Sequence, residues 1–532
     1  MASVKKLLHR LLDEGGGHPE LITRRTEIIL IVAISLLAVL SHLPLLFGNF
    51  VEYDDGSHIF RNPIVQDLTW NNFKEVLFSN FMGRASSPSF ALHMLNWKLG
   101  GGAYSAFAAV NLLWLVIGTL VFYRFSALFL GGKGARLFAT ALFAVHSVNV
   151  DTIAWMSARC HFFGATYVII SFVFWQKYLD EIYRPKRVLF YGLAFAAAGL
   201  AMWSKGLFVV IGPLLCVFDV YRRRRLTPLA VMDKIPFAAV AVIPFMHPPI
   251  SVNTDAFAQP SIGPTVTHTL MNDATLFVEY ILRGIVPGPT TIDVSVYPQE
   301  GLFDISSSDT VTMMAFPPIF NIGVILLIFG ACFWMMKRFR LRQPFFALIF
   351  AAVSLLPVMN IPPRWVEFAF RFIFLPSIFL SIAVGALSAY AWHRAKGMRG
   401  RIVIVVTSAV LLGAHLVQTV KTSATWRNNF TYWDNCVTNF PDAITCRLKL
   451  ALDHHDHGRT DEMLEEYKKM VHLSTTRHPK RDHTPAYHLG REYSRLEDKE
   501  NACFYFRYAQ ITEQLNSGYR DRAREYIRKN CH

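Results

Sequence analysis

Apolar runs recur through the first 420 or so residues of this chain, several of them about 17 to 21 residues long. At a rise of about 1.5 Å per residue such a run crosses a bilayer core as a helix. The pattern predicts an all-α, polytopic membrane protein. Candidate spans cover 28–48, 104–128, 137–154, 160–178, 188–203, 206–221, 233–250, 316–336, 344–360, 371–391 and 402–420. Lys and Arg gather at 5–6, 24–25, 133–136, 184–187, 222–225, 337–342 and 394–401. With eleven crossings every one of these clusters falls on the side of the N-terminus, which is therefore cytoplasmic, and the C-terminus lies outside. A further helix-like stretch at 270–287 would force the 337–342 cluster outward, so it reads as interfacial or re-entrant. The first run lacks a convincing small-residue cleavage site around Ser41 to Pro44 and reads as an uncleaved anchor.

The formal charge of +15 would suggest nucleic acid in a soluble chain. Here most of the excess lies in the cytoplasmic loop clusters, so topology accounts for it and nucleic acid is not an expected partner. Among the seven cysteines, Cys160, Cys216 and Cys332 lie in or beside spans, where they pack. Cys436, Cys446, Cys503 and Cys531 all fall in the outer tail, where an oxidising compartment allows disulfides. Three pairings of these four are possible. No CxxC or CxxCH occurs, which leaves zinc-ribbon and c-type haem readings without support.

The expected organisation is a cytoplasmic N-terminus at 1–27, a transmembrane domain at 28–421 with outer loops at 49–102 and 251–312, and an outer helical domain at 422–532. A short third outer segment, 362–370, carries Arg364 and Glu367. In the tail two helical pairs, 443–473 and 485–512, share small and aromatic residues: Leu452, Gly458 and Tyr467 in one, Leu489, Leu496 and Tyr505 in the other. Their spacing suggests a small solenoid of the tetratricopeptide type. His454, His455 and His457 read as hydrated repeat-loop residues rather than a metal site.

One pair of residues carries the chemistry. Asp54 and Asp55 stand in FVEYDDGSHIFRNP, just beyond the first apolar run. Adjacent carboxylates disfavour each other's ionisation, and at a membrane surface such charges mark an ion, proton or substrate site. The competing reading is a solvated Asp-Asp-Gly turn.

The block FVEYDDGSHIFRNPIVQDLTWNNFKEVL resembles the start of the transmembrane and tetratricopeptide-repeat O-mannosyltransferases and their bacterial relatives, members of the GT-C superfamily of membrane glycosyltransferases. The similarity continues in order through HSVNVDTIAWMSARCHFFGA at 146–165, MWSKGLFVVIGPLLCVFDVY at 202–221, SLLPVMNIPPRWVEFAFRFIFLPS at 354–377 and the tail opening TWRNNFTYWDN. It implies a GT-C-like bundle, a polyprenyl-phosphate-linked sugar donor drawn from the membrane lipid, and a protein or lipid hydroxyl as acceptor. Asp54 or Asp55 would be the catalytic base, Asp54 being preferred. Arg84, Asp151, Arg159, Lys205, Arg283 and Arg371 would contact substrate or the donor phosphate. A divalent cation shared by the acidic pair and His58 is compatible with such ligands.

The sequence also departs from the family pattern. Leu115 stands for a histidine, His161 for an aspartate, Phe370 for an aspartate and Asp151 for a glutamate, and Arg84 lacks its aromatic and proline neighbours. These departures keep a second reading open: a catalytically inactive, GT-C-derived assembly subunit whose tail binds complex partners. A transporter or flippase is the third reading, and no evident inverted repeat supports it.

Overall fold

The computed structural model describes residues 22–78, 88–225, 227–246, 266–290, 317–359, 368–477, 484–510 and 517–531. Arg84, Arg364, Glu367 and most of the outer segment 251–312 lie outside them. The described residues form helices and short turns with no β-strand. They fall into two units, the first ending at Arg427 and the second beginning at Asn428.

In the first unit seven helices among the described residues are long and apolar enough to cross a membrane: Arg24–Phe47, Tyr104–Ser126, Met156–Asp180, Arg184–Ser204, Pro318–Phe339, Phe370–Arg394 and Gly397–Thr425. The chain is a multi-pass membrane protein. The expected run at 137–154 is a helix pair, Lys133–Ala144 and Ser147–Ala154, bent by 43°. The cause is local, since the His146 ring accepts the Val148 N–H and so starts a new turn. Two more expected runs are shorter apolar helices, Gly206–Tyr221 and Gln343–Val358. A third is Ile235–Met246, of 12 residues. Val266–Arg283 is a separate helix outside the seven. It carries buried polar residues at Asn272, Asp273, Glu279 and Arg283.

Basic residues of the 133–136 and 337–342 clusters join neighbouring turns of this unit. Lys133 pairs with Glu27 and donates to the Ile22 carbonyl. Arg342 donates to Val220, and both Gln343 and Tyr221 donate to Phe129. Nearby, Lys234 and Arg224 share the buried Asp219 carboxylate, at 2.6 and 2.9 Å. Pro318–Phe339 and Gly397–Thr425 bury only 6% and 11% of their apolar windows. Exposed residues such as Leu326, Leu327 and Val410 are therefore placed for lipid contact.

The second unit contains two helical hairpins in tandem, Ile444–Asp456 with Thr460–Arg477 and Thr484–Arg495 with Lys499–Ala509. Gly458 and Glu497 turn the two hairpins at φ +69° and +61°. Between them Met463, Tyr467, Leu489, Ala502 and Phe506 form one core. Of the residues the two helical pairs share, Leu452 and Leu496 are exposed. His454 is buried against Phe430, whereas His457 hydrogen-bonds the Asp453 carbonyl one turn back.

Of the three possible cysteine pairings the structure contains Cys436–Cys446 and Cys503–Cys531. The second closes 28 residues and ties the last helix, Ser517–Asn530, to the hairpin before it. A loop of that length removes about 3.6 kcal/mol of unfolded-state entropy. Replacing Cys503 and Cys531 together by Ser is therefore expected to destabilise the tail by about that amount in denaturant titration. An unchanged midpoint would contradict it.

Candidate functional site

The start of the first outer segment packs against the helical bundle. Asn49 donates to the Trp426 carbonyl at 3.1 Å. At Gly48 a Cβ would lie 2.6 Å from that same oxygen, so a side chain there would push the loop off the end of the Gly397–Thr425 helix. Phe50 sits among Phe60, Tyr104 and Phe107 at 5.2 to 5.5 Å. The residues after it form a π-helical turn, Gly56–Phe60, closed by the Arg61 N–H on the Gly56 carbonyl. Such wide turns recur at functional sites. Arg61 also pairs with Glu52. Asn62 then caps the Pro63–Gln66 helix by accepting from Ile64 and Val65.

That packing separates the two carboxylates. Asp55 is fully buried, and its Oδ1 accepts both the Ser157 N–H, at 2.9 Å, and the Ser157 hydroxyl. Burial pushes its carboxyl up to about 7, the two Ser157 hydrogen bonds oppose the rise, and the charge of Asp54 adds to it. Asp54 is half-buried. Its backbone carbonyl accepts from His58 and Ser57, so its main chain helps hold the turn. An open concavity on the same turn is lined by Tyr53, Ser57, Arg61, Asn62 and Pro63.

Ser157 belongs to a single turn of 3-10 helix, Met156–Ala158, that leads into the long helix Arg159–Asp180. Arg159 is fully buried at the N-terminus of that helix, the end at which a cation is disfavoured. Its surroundings compensate. The Asp55 carboxylate lies close by. The guanidinium bonds His93 and Asn111 and lies over Phe107 and Phe163, at 5.5 and 5.9 Å. Asn111 in turn donates to the Ile153 carbonyl at 2.7 Å. Asp55, Ser157 and Arg159 thus form one unit that seats the first outer segment on the start of a spanning helix.

A second group stands on the preceding turns. Asp151 is fully buried, with the Arg371 guanidinium and the Thr290 hydroxyl beside it. Arg371 lies over the Trp155 ring at 5.2 Å, and Tyr53 meets the same ring edge-on at 5.6 Å. Tyr53 directly precedes Asp54, so the two groups are linked through Trp155. Lys205 is half-buried at the C-terminal end of Arg184–Ser204. That end reaches the first outer segment through Trp203 and Phe78, 6.0 Å apart. Arg283, expected on a phosphate, bonds Glu279 at 3.1 Å and the Pro289 carbonyl, and covers the Phe370 ring. Phe370 therefore receives a cation on its face. His161 is buried beside Phe372, and Leu115 is fully buried. Among the described residues no group of three or more His, Cys, Asp or Glu is arranged to hold a metal ion.

Sequence alone did not mark Ser157, Trp155, Thr290, His93 and Asn111 as members of these groups. Ser157 and Trp155 lie inside the block that carried the resemblance. His93 and Asn111 were signalled only as polar residues among apolar ones. Ser157→Ala keeps one of the two hydrogen bonds to Asp55, and the loss of the other is expected to cost about 1 kcal/mol of stability. Ser157→Thr, which keeps the hydroxyl, should cost less. Equal losses in thermal melts would show that the hydroxyl does not hold Asp55.

No protein-family model matches the chain. Among solved structures, the oligosaccharyltransferase AglB of Archaeoglobus fulgidus, in complex with an inhibitory peptide and a dolichol-phosphate, aligns with TM-score 0.43 and 13% identity over 75% of this chain and 56% of that one. ArnT of Cupriavidus metallidurans, bound to undecaprenyl phosphate, aligns with TM-score 0.36 and 13% identity over 84% and 80%. Likenesses this loose carry no argument about function. In sequence, the chain is 26% identical over 196 residues to protein O-mannosyl-transferase F38B6.6 of Caenorhabditis elegans, over 33% of this chain and 27% of that protein. It is 29% identical over 214 residues to protein O-mannosyl-transferase TMTC4 of Mus musculus, over 35% of this chain and 29% of that protein. The chain thus matches less than a third of the length of either relative. The similarity to O-mannosyltransferases that the sequence motifs implied is shared by curated proteins over about a third of this chain.

Proposed function

We propose that this protein is a GT-C-type membrane glycosyltransferase that transfers a sugar from a polyprenyl-phosphate carrier to a hydroxyl of a protein on the extracytoplasmic face. The observation that carries the reading is the division of the acidic pair. Asp55 is buried and anchored by Ser157, whereas Asp54 is half-buried in a turn whose neighbouring residues Tyr53 and Ser57 line a concavity.

A hydroxyl is too weak an acid to attack unaided, and a carboxylate within reach orients it and takes its proton. Asp54 has that role. As the acceptor oxygen bonds to the anomeric carbon, the bond from that carbon to the phosphate oxygen breaks, and the lipid phosphate leaves with the electron pair. Cations stabilise the leaving charge. Arg371, which also faces Asp151, is the first candidate and Lys205 the second. Asp55 and Arg159 position the base and touch no substrate. Arg283 is engaged by Glu279 and takes no part. Two observations support the sidedness. Among the described residues, Lys133 and Arg342 of two basic clusters join neighbouring turns, as topology demands of cytoplasmic loops. The second unit contains two disulfides, as an oxidising compartment allows. The helical tail would present the protein acceptor, since tandem hairpins offer extended surfaces.

The test is transfer by the purified full chain from polyprenyl-phosphate mannose to a Ser/Thr-containing peptide, with a water-soluble sugar nucleotide as control donor. Transfer from the lipid donor alone is expected. Absence of transfer, together with stoichiometric copurifying membrane proteins, would overturn the proposal in favour of an assembly subunit.

A further inference from the structure

Buried polar atoms almost always find hydrogen-bond partners within the protein or in what it binds. Among the described residues, four that lie together do not: both carboxylate oxygens of Asp151, the indole N–H of Trp155 and the hydroxyl of Thr290. Their residues are 0%, 3% and 3% exposed. They share one place. The Trp155 main chain donates to the Asp151 carbonyl, closing the short helix Val150–Ala154. Thr290 faces Asp151 without reaching hydrogen-bonding geometry. Arg371 lies over Trp155 and beside Asp151.

The chemistry of this set selects its ligand. A carboxylate accepts hydrogen bonds and donates none, an indole only donates, and a threonine hydroxyl does both. A phosphate, which is also an acceptor, would be repelled by Asp151. A polyol fits, because neighbouring hydroxyls can each donate to the carboxylate while accepting from the indole or the threonine. Trp155 also touches Tyr53, the residue before the proposed base. Building on the function proposed above, we infer that Asp151, Trp155 and Thr290 form the subsite that binds the hydroxyls of the donor sugar, with Arg371 between that sugar and its phosphate. Trp155 and Thr290 are then specificity-determining residues of the reaction.

Full-length protein in detergent can be titrated with two probes, undecaprenyl-phosphate mannose and sugar-free undecaprenyl phosphate. The variants are Trp155→Phe, which keeps a ring for Arg371 and Tyr53, and Thr290→Val, which keeps the volume. Each is expected to weaken binding of the sugar-bearing lipid by about three- to ten-fold, the range of a single hydrogen bond, and to leave the sugar-free lipid unchanged. If neither variant weakens the sugar-bearing lipid, the inference is wrong. Equal weakening of both probes would place the residues at the phosphate or in the fold, and would also overturn it. Wild-type protein that binds neither probe would overturn the function proposed above, and this subsite with it.

Discussion

Asp54→Asn is expected to lower sugar transfer by about two to four orders of magnitude, the usual contribution of a positioned general base. That corresponds to about 3 to 5 kcal/mol of transition-state stabilisation. The substitution is close to isosteric. The turn is held by the Asp54 carbonyl, which accepts from His58 and Ser57, and by the π-helical closure at Gly56. All of these survive in Asn. The variant should therefore insert, melt and bind donor lipid as the wild type does, with the loss confined to kcat. Transfer within two-fold of wild type would remove Asp54 from the chemistry.

Stability should depend on pH through Asp55, with a sign opposite to that of a carboxylate held by a salt bridge. The carboxyl is raised from 3.8 to about 7, chiefly by burial. Below its unfolded value both states hold the proton, and the favourable contribution is complete. As pH rises above that value the unfolded chain gives up its proton while the folded protein keeps it, so the contribution shrinks. Once pH has passed through about 7 the folded protein has ionised a buried group and the contribution is gone. The whole fall is on the order of 4 kcal/mol, each tenfold change in proton affinity being worth about 1.4 kcal/mol. In melts between pH 4 and pH 8 the wild type should lose stability as pH rises. Asp55→Asn, which cannot ionise but can still accept from Ser157, should show a flatter profile over that range. Parallel profiles would mean that Asp55 is not the titrating group. The groups around it that bear on this titration are Asp54, Ser157, the Met156 amide, Arg159 and Tyr104, and Arg159 continues into His93 and Asn111.

The two predictions separate residues that the sequence presents as twins. Adjacent in the chain, Asp54 and Asp55 are chemically identical, and only a family resemblance favoured one as the base. The distinction comes from Ser157, 102 positions beyond Asp55, whose amide and hydroxyl engage the Asp55 carboxylate.

Much of the architecture was legible because bilayer physics writes it in composition. A long apolar run must become a helix in lipid, and basic residues must remain on one side. Seven of the eleven expected spans are long apolar helices among the described residues. The run at 137–154 shows the limit, because hydropathy sums over a window and is blind to the single ring of His146 that breaks the helix. Spacing likewise showed the hairpin repeat but not which leucines of it are buried. Cysteine count allowed three pairings, and only the packing of the tail helices chose one.

By itself, then, the sequence determined what is set by local composition: an all-helical membrane chain, the grouping of its cations, and an acidic pair at the edge of the first span. The tertiary structure decided which buried group meets which. It anchored Asp55, left Asp54 half-buried, engaged Arg283 with Glu279, and gathered Asp151, Trp155, Thr290 and Arg371 from separate segments. The physical reason is range. Hydrophobic periodicity acts over one helix, whereas the hydrogen bonds and ion contacts of a site join residues more than a hundred positions apart, whose proximity exists only after the bundle has packed.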